Sequence, residues 1–263
     1  MPLTDFQSHV AALLSANRTP DSYLAGGAAM HIEPVSKRYS NDLDYFHDTE
    51  ERVATAFDTD RRTLQSAGYD VDVRMHQPGF IRAIVKKAGE STKVDWAHDS
   101  SFRFMPPIKH PTAGFLLHPV DLAINKLLAL VGRDEPRDFL DILHVHETVL
   151  SLGALCWAAA GKDPGFTPIT LVSLLRRRGR YRPEDFSRLD LSATPNLPEL
   201  KVTWLAALDQ AEAFIARMPP DEVGCLYYSK RQARFVSDFE PGDPDVVPHY
   251  GRPGGMLPSV HAV

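Results

Sequence analysis

The sequence predicts an α+β chain: a small mixed sheet with helices on one face, followed by a mostly helical C-terminal domain. Three observations carry that expectation. Up to residue 97, helical periods and short alternating apolar runs interleave. From Pro119 onward, longer apolar helical periods take over. Between them residues 105–111, MPPIKHP, are Pro-rich. The expected boundaries are therefore a first domain over 1–110, a helical domain over 111–236 and an irregular or disordered tail over 237–263.

Residues 5–16 carry apolar side chains at Phe6, Val10, Leu13 and Leu14, a helical period with Thr4 or Asp5 as cap. Tyr23-Leu24-Ala25 leads into Gly26-Gly27 and then the helix formers 28–33. Ser40 to Phe46 reads as a strand. Thr49 caps a helix to Ala67, with Glu50 and Glu51 at its positive end and Gly68 closing it. Residues 69–75 alternate as a half-buried strand does, with Tyr69, Val71, Val73 and Met75 apolar. Two further strands follow, 80–85 and 92–97, separated by turns at 77–79 and 87–91. Helices are expected at 118–132, from Pro136, and at 150–160, 169–177 and 197–217. In the first of these, Pro119 lies in the first turn and Gly132 at the end.

The chain has 263 residues and a net charge of −5, which argues against a protein that coats nucleic acid over its whole surface. No apolar run reaches the roughly 18 residues needed to span a bilayer, so no membrane role is expected. The opening MPLTDFQSHVAALL lacks a basic n-region and does not read as a signal peptide. Cys156 and Cys225 sit in apolar text without metal-like spacing. They read as two buried thiols in a reducing cytoplasm.

Chemistry concentrates at 24–47. On a strand, Asp42 and Asp44 project from one face while Leu43 and Tyr45 project from the other. Two adjacent carboxylates repel unless a cation sits between them, which suggests a hard divalent metal. Glycines at a turn into a helix let backbone N–H groups approach a phosphate. Asp95 lies inside an apolar strand, costly unless it binds metal or pairs with Lys93 or Arg103. Lys126 stands in a helix apolar nearly all round, sharing a face with Arg133. Asp138 and Asp141 share a face of the next helix. His144 and His146, two apart on a helix, point in different directions, which weakens a hydrolase site built from them and Asp141. Arg176 to Arg182 form a basic cluster beside Tyr181, either a helix end that favours cations or a cradle for a phosphate backbone.

The order Gly26-Gly27, helix, Arg38, then Ser40-Asn41-Asp42-Leu43-Asp44-Tyr45-Phe46 resembles the first signature of polymerase-β-like nucleotidyltransferases. More narrowly it resembles the AbiEii/AbiGii-type toxin nucleotidyltransferases. The spacing of Lys126, Ala129, Arg133, Arg137, Asp138 and Asp141 is similar to that family's second block. Ala28 departs from the Thr common after the glycines. The resemblance implies a polymerase-β-like domain completed by helices. It implies Mg²⁺ (or Mn²⁺) held by Asp42, Asp44 and Asp95. It also implies an NTP bound by Gly26, Gly27, Ser40, Lys126 and Arg137, with Arg137 and Asp138 on the closing side. Asp42, Asp44, Asp95, Lys126 and Asp138 are its catalytic set. The acceptor it implies is RNA, such as a tRNA end, or protein, and the setting a toxin–antitoxin pair with a cognate antitoxin. The alternatives are a catalytically silent copy that binds a nucleotide or partner, and a small-molecule nucleotidyltransferase.

Overall fold

The computed structural model describes residues 3–32, 40, 42–191 and 193–259, so the Arg38 expectation lies outside the described residues. Helix α1 (Asp5–Leu14) starts on Thr4, whose hydroxyl accepts from the Gln7 N–H while the Gln7 side chain accepts from the Thr4 N–H. That reciprocal pair satisfies two donors that a helix start leaves open. A 3₁₀ turn (Ser15–Asn17) leads to β1 (Ser22–Ala25), the short α2 (Gly26–Met30) and β2 (Asp42–His47). Thr49 caps α3 (Glu50–Ser66), and Gly68 leaves it with φ +79. A meander of β3 (Asp70–Gln77), β4 (Phe80–Lys87) and β5 (Glu90–His98) follows. Three short strands come next, β6 (Phe102–Arg103), β7 (Ile108–His110) and β8 (Gly114–Leu116).

The main sheet has the order β3-β4-β5-β2-β1-β8-β7. It is mixed: β2 runs parallel to β5 and β1 to β8, while the other neighbours are antiparallel. Residues 108–116, at and beyond the Pro-rich stretch, thus supply its last two strands. Alternation decides its faces. Leu43, Tyr45, Ile81, Ala83, Val94 and Trp96 are buried in one core with residues of α1 and α3. Trp96 meets Phe57 edge-on at 5.1 Å and donates its indole N–H to Asp60 at 2.7 Å. On β3 the expected alternation fails after Val71. Val73 and Met75 are both exposed on this outermost strand, and the register is irregular between them.

The second half is helical: α4 (Pro119–Arg133), α5 (Pro136–Thr148), α6 (Leu152–Lys162), α7 (Pro168–Leu175) and α8 (Leu197–Arg217). Helix α4 passes Gly132 and ends instead with Asp134 in the left-handed region, φ 49. Helix α6 is apolar on every side and lies buried in the second core, where Trp157 meets Phe214 and Trp204 meets Phe139. Both cysteines are buried and unpaired. Among the described residues no single helix is long and apolar enough to cross a membrane.

The tail corrects the expectation of an irregular or disordered end. After β9 (Cys225–Ser229) and β10 (Arg234–Val236), residues of β11 (Val246–Tyr250) pair along the whole of β9. Then β12 (Arg252–Pro253) pairs with β6 in the first half of the chain. His249 Nε2 hydrogen-bonds the Phe104 carbonyl at 2.8 Å. The backbone partners that local periodicity does not reveal lie about 150 residues away, on β6.

Candidate active site

With Leu43 and Tyr45 committed to the core, Asp42 and Asp44 face the other way. They open into a cleft of about 770 Å³ between the sheet and α4. Strand register then fixes their neighbours. The parallel β2–β5 ladder sets Asp95 beside Asp44 and Lys93 beside Asp42, and the antiparallel β4–β5 ladder sets Arg82 beside Asp95. Gly26, Gly27, Lys126 and Arg137 also line the cleft. Three carboxylates, two from β2 and one from the distant β5, are thus brought together on one face.

The outer two are heavily engaged. Arg82 forks onto Asp95, Nε to Oδ1 at 2.8 Å and Nη2 to Oδ2 at 2.7 Å. Lys93 Nζ lies 2.7 Å from Asp42 Oδ2 and 3.9 Å from Asp95 Oδ2. Ser40 Oγ stands 3.2 Å from Asp42 Oδ1 and 3.0 Å from the Asp42 carbonyl, and Arg137 Nη1 is 3.9 Å from Asp42 Oδ2. Burial opposes ionisation of Asp42, but the bond to Lys93, the charges of Lys93 and Arg137 and the hydrogen bond from Ser40 hold the acid below its usual range. Asp44 is the opposite case. Burial, then the charges of Asp42 and Asp95, push it up to about 7, against weaker pulls from Lys126 and Lys93. Of the two partners offered to Asp95 by the sequence, Lys93 is near and Arg103 is not. Arg103 is buried on Asp48 and Tyr23.

Gly26 is required for a reason the sequence does not show. Its φ is +60, and a Cβ there would overlap the Asp44 carboxylate. The glycine lets the turn into α2 pass directly against a catalytic candidate.

Lys126 is buried, with Nζ 2.8 Å from Asp141 Oδ2 and 3.1 Å from Asp138 Oδ1. Arg133 forks onto the same Asp138 at 2.6 and 3.0 Å. Burial works against the Asp138 charge, yet Arg133 and Lys126 keep the acid below its usual range. Asp141 Oδ1 also meets His31 Nε2 at 2.9 Å. Asp138 therefore sits behind the cleft wall and fixes Lys126 and Arg133, which line it.

Two features of the cleft escaped the sequence reading. Arg82 is one; its parity with Phe80 and Ile84, against Ile81, Ala83 and Val85, was the available signal. The other is a polar clamp across the cleft: Asp99 Oδ2 accepts from Asn125 at 3.0 Å and from Lys162 at 3.2 Å, joining the end of β5 to α4 and α6. The basic cluster does not line the cleft, and two of its arginines are committed to acids. Arg176 pairs with Asp209 and Glu212, while Arg178 and Tyr181 hold Asp134.

Three hard oxygen donors whose mutual repulsion raises one acid suit a hard divalent cation in chemical type. Among the described residues, however, no three His, Cys, Asp or Glu side chains stand as a ready-made cage. Arg82 and Lys93 draw two of the carboxylates toward themselves instead.

No family model and no curated protein matches the sequence. Solved structures do. The nucleotidyltransferase toxin MenT4 from Mycobacterium tuberculosis superposes with a TM-score of 0.51 at 18% identity, over 82% of this chain and 83% of that one. JHP933 from Helicobacter pylori gives 0.47 at 18%, over 80% and 95%. At such identity the likeness to MenT4 is one of architecture, and the chain has the nucleotidyltransferase fold.

Proposed function

We propose that the chain is a Mg²⁺- or Mn²⁺-dependent nucleotidyltransferase that moves an NMP from an NTP to an acceptor and releases pyrophosphate. The observation that carries this reading is the convergence of Asp42, Asp44 and Asp95 on one sheet face at the floor of the cleft. These three would hold the metal, which when bound supplies charge stabilisation to the attacking and leaving oxygens. Gly26, Gly27, Ser40 and Arg137 would bind the triphosphate, with the Lys126 ammonium neutralising charge that grows on it. Asp138 would keep that ammonium and the Arg133 guanidinium in place. Asp95, beside Arg82 on the β4 side, would take the acceptor hydroxyl proton. In the same reading the acceptor is RNA, such as a tRNA end, or protein. The setting is a cytoplasmic toxin with a cognate antitoxin.

One observation favours the silent alternative: cations already sit on Asp42 and Asp95. Incubating the pure protein with each labelled NTP, Mg²⁺ and total RNA separates the two. The enzyme reading expects label in RNA or protein together with a metal- and NTP-dependent rise in melting temperature. A melting temperature indifferent to all four NTPs with metal would overturn it.

A further inference from the structure

Arg82 has no task in the reaction just described, yet it makes the closest contacts to one of its ligands. Both oxygens of Asp95 accept from its guanidinium, the bidentate arrangement in which an arginine grips a carboxylate best. The two residues are register partners on adjacent strands, so the fork needs no unusual backbone. The Arg82 side chain is nonetheless 36% exposed, and its guanidinium carbon lies 5.2 Å from the Phe80 ring centre, against the cleft wall. It is therefore held in place firmly enough to neutralise Asp95 and loosely enough to leave. Lys93 is placed differently. It comes from the same strand as Asp95, and its short contact is to Asp42. Together the two cations offset most of the charge of the carboxylate trio.

We propose that Arg82 is an exchangeable counter-ion: it neutralises Asp95 while the cleft holds no metal and yields that carboxylate when a divalent cation binds. A divalent ion gathers hard oxygens around itself, and a carboxylate with both oxygens in a guanidinium fork is poorly placed to join that shell. The fork must open for Asp95 to turn. Once displaced, the guanidinium remains at the β4 side of the cleft, where an incoming phosphate replaces the lost carboxylate as its partner. Arg82 thereby sets how tightly metal binds before substrate arrives. This inference rests on the reading of Asp42, Asp44 and Asp95 as the metal site.

The test is calorimetric titration of the full chain with Mn²⁺, without nucleotide, for wild type, Arg82→Gln, Arg82→Lys and Asp44→Asn. Because an ion pair this exposed holds only modestly, Arg82→Gln is expected to bind Mn²⁺ about fivefold more tightly than wild type. Arg82→Lys, which keeps the charge but loses the fork, should fall between, and it serves if the glutamine variant fails to fold. Equal or weaker Mn²⁺ binding by both variants would overturn the exchange and make Arg82 an orienting partner of Asp95. Wild-type protein that binds no Mn²⁺ sensitive to Asp44→Asn would overturn the metal-site reading, and this inference with it.

Discussion

Asp44 and Asp95 are direct register partners on the parallel strands β2 and β5, so two carboxylates stand side by side with Asp42 two residues along β2 on the same face. Among the described residues no ion pair reaches Asp44, whose acid is instead pushed up by burial and by those two neighbours. Asp44→Asn therefore removes repulsion, and the metal-free variant is expected to be as stable as wild type or more so. The same change should abolish both the metal-dependent rise in melting temperature and transfer. An ordinary structural carboxylate would instead cost roughly 1–3 kcal/mol on removal. Chemical denaturation with and without Mg²⁺ distinguishes the two.

Gly26→Ala confronts two obstacles at once, a left-handed backbone and the Asp44 carboxylate. Backbone strain of this kind costs about 1–3 kcal/mol, and the overlap adds to it. Urea unfolding should show a loss of at least that size. Gly89→Ala is the control, since it has a similar φ of +87 and nothing near its missing side chain.

Lys126 calls for a different expectation from that of a simple ligand contact. Its ammonium is buried between Asp138 and Asp141, so Lys126→Ala leaves two buried carboxylates short of a partner. A loss of about 3 kcal/mol is expected, together with loss of transfer. Retained stability with lost transfer would confine the ammonium's role to the nucleotide.

Asp121 gives the protein a pH dependence remote from the carboxylate trio. It is fully buried at the start of α4, and its two oxygens accept from the Phe104 and Met105 N–H groups at 2.8 and 3.0 Å. Burial outweighs those bonds and raises the acid from 3.8 to about 6. The folded state thus holds this proton more tightly than the unfolded chain. The stability it contributes is present below about pH 4 and is lost as pH rises to about 6. Carboxyl NMR should find a midpoint near 6. In unfolding measurements from pH 4 to 7, Asp121→Asn should lack this component of the slope, whatever it costs overall.

Some of this was legible in the sequence because it is local. The parity of Asp42 and Asp44 against Leu43 and Tyr45, the Thr49 cap and the Gly68 stop each depend on residues close in the chain. What was not legible depends on pairing over distance. Periodicity does not state that β2 lies parallel to β5, so it could nominate Asp95 and its strand neighbour Lys93 but not bring Asp42, Asp44 and Arg82 beside them. The strands at 108–110, 114–116 and 252–253 have only two or three residues each, too few to alternate, and exist because a partner strand is already there. The sequence could single out Lys126 in an apolar helix, but its two aspartate partners appear only once α5 is packed against α4.

The Asp99 clamp sets how the cleft can be used. One carboxylate at the end of β5 holds Asn125 of α4 and Lys162 of α6, with the lysine side chain almost wholly buried. Sheet wall and helix wall are therefore tied together at that side rather than hinged. A ligand entering the cleft would meet two walls already joined at that side. Its arrival rate is then governed by diffusion and by the mixed field of Arg82, Lys93, Arg133 and Arg137 and the carboxylates beside them. Added salt screens both signs there, so it slows the capture of anions only as far as the bases outweigh the acids.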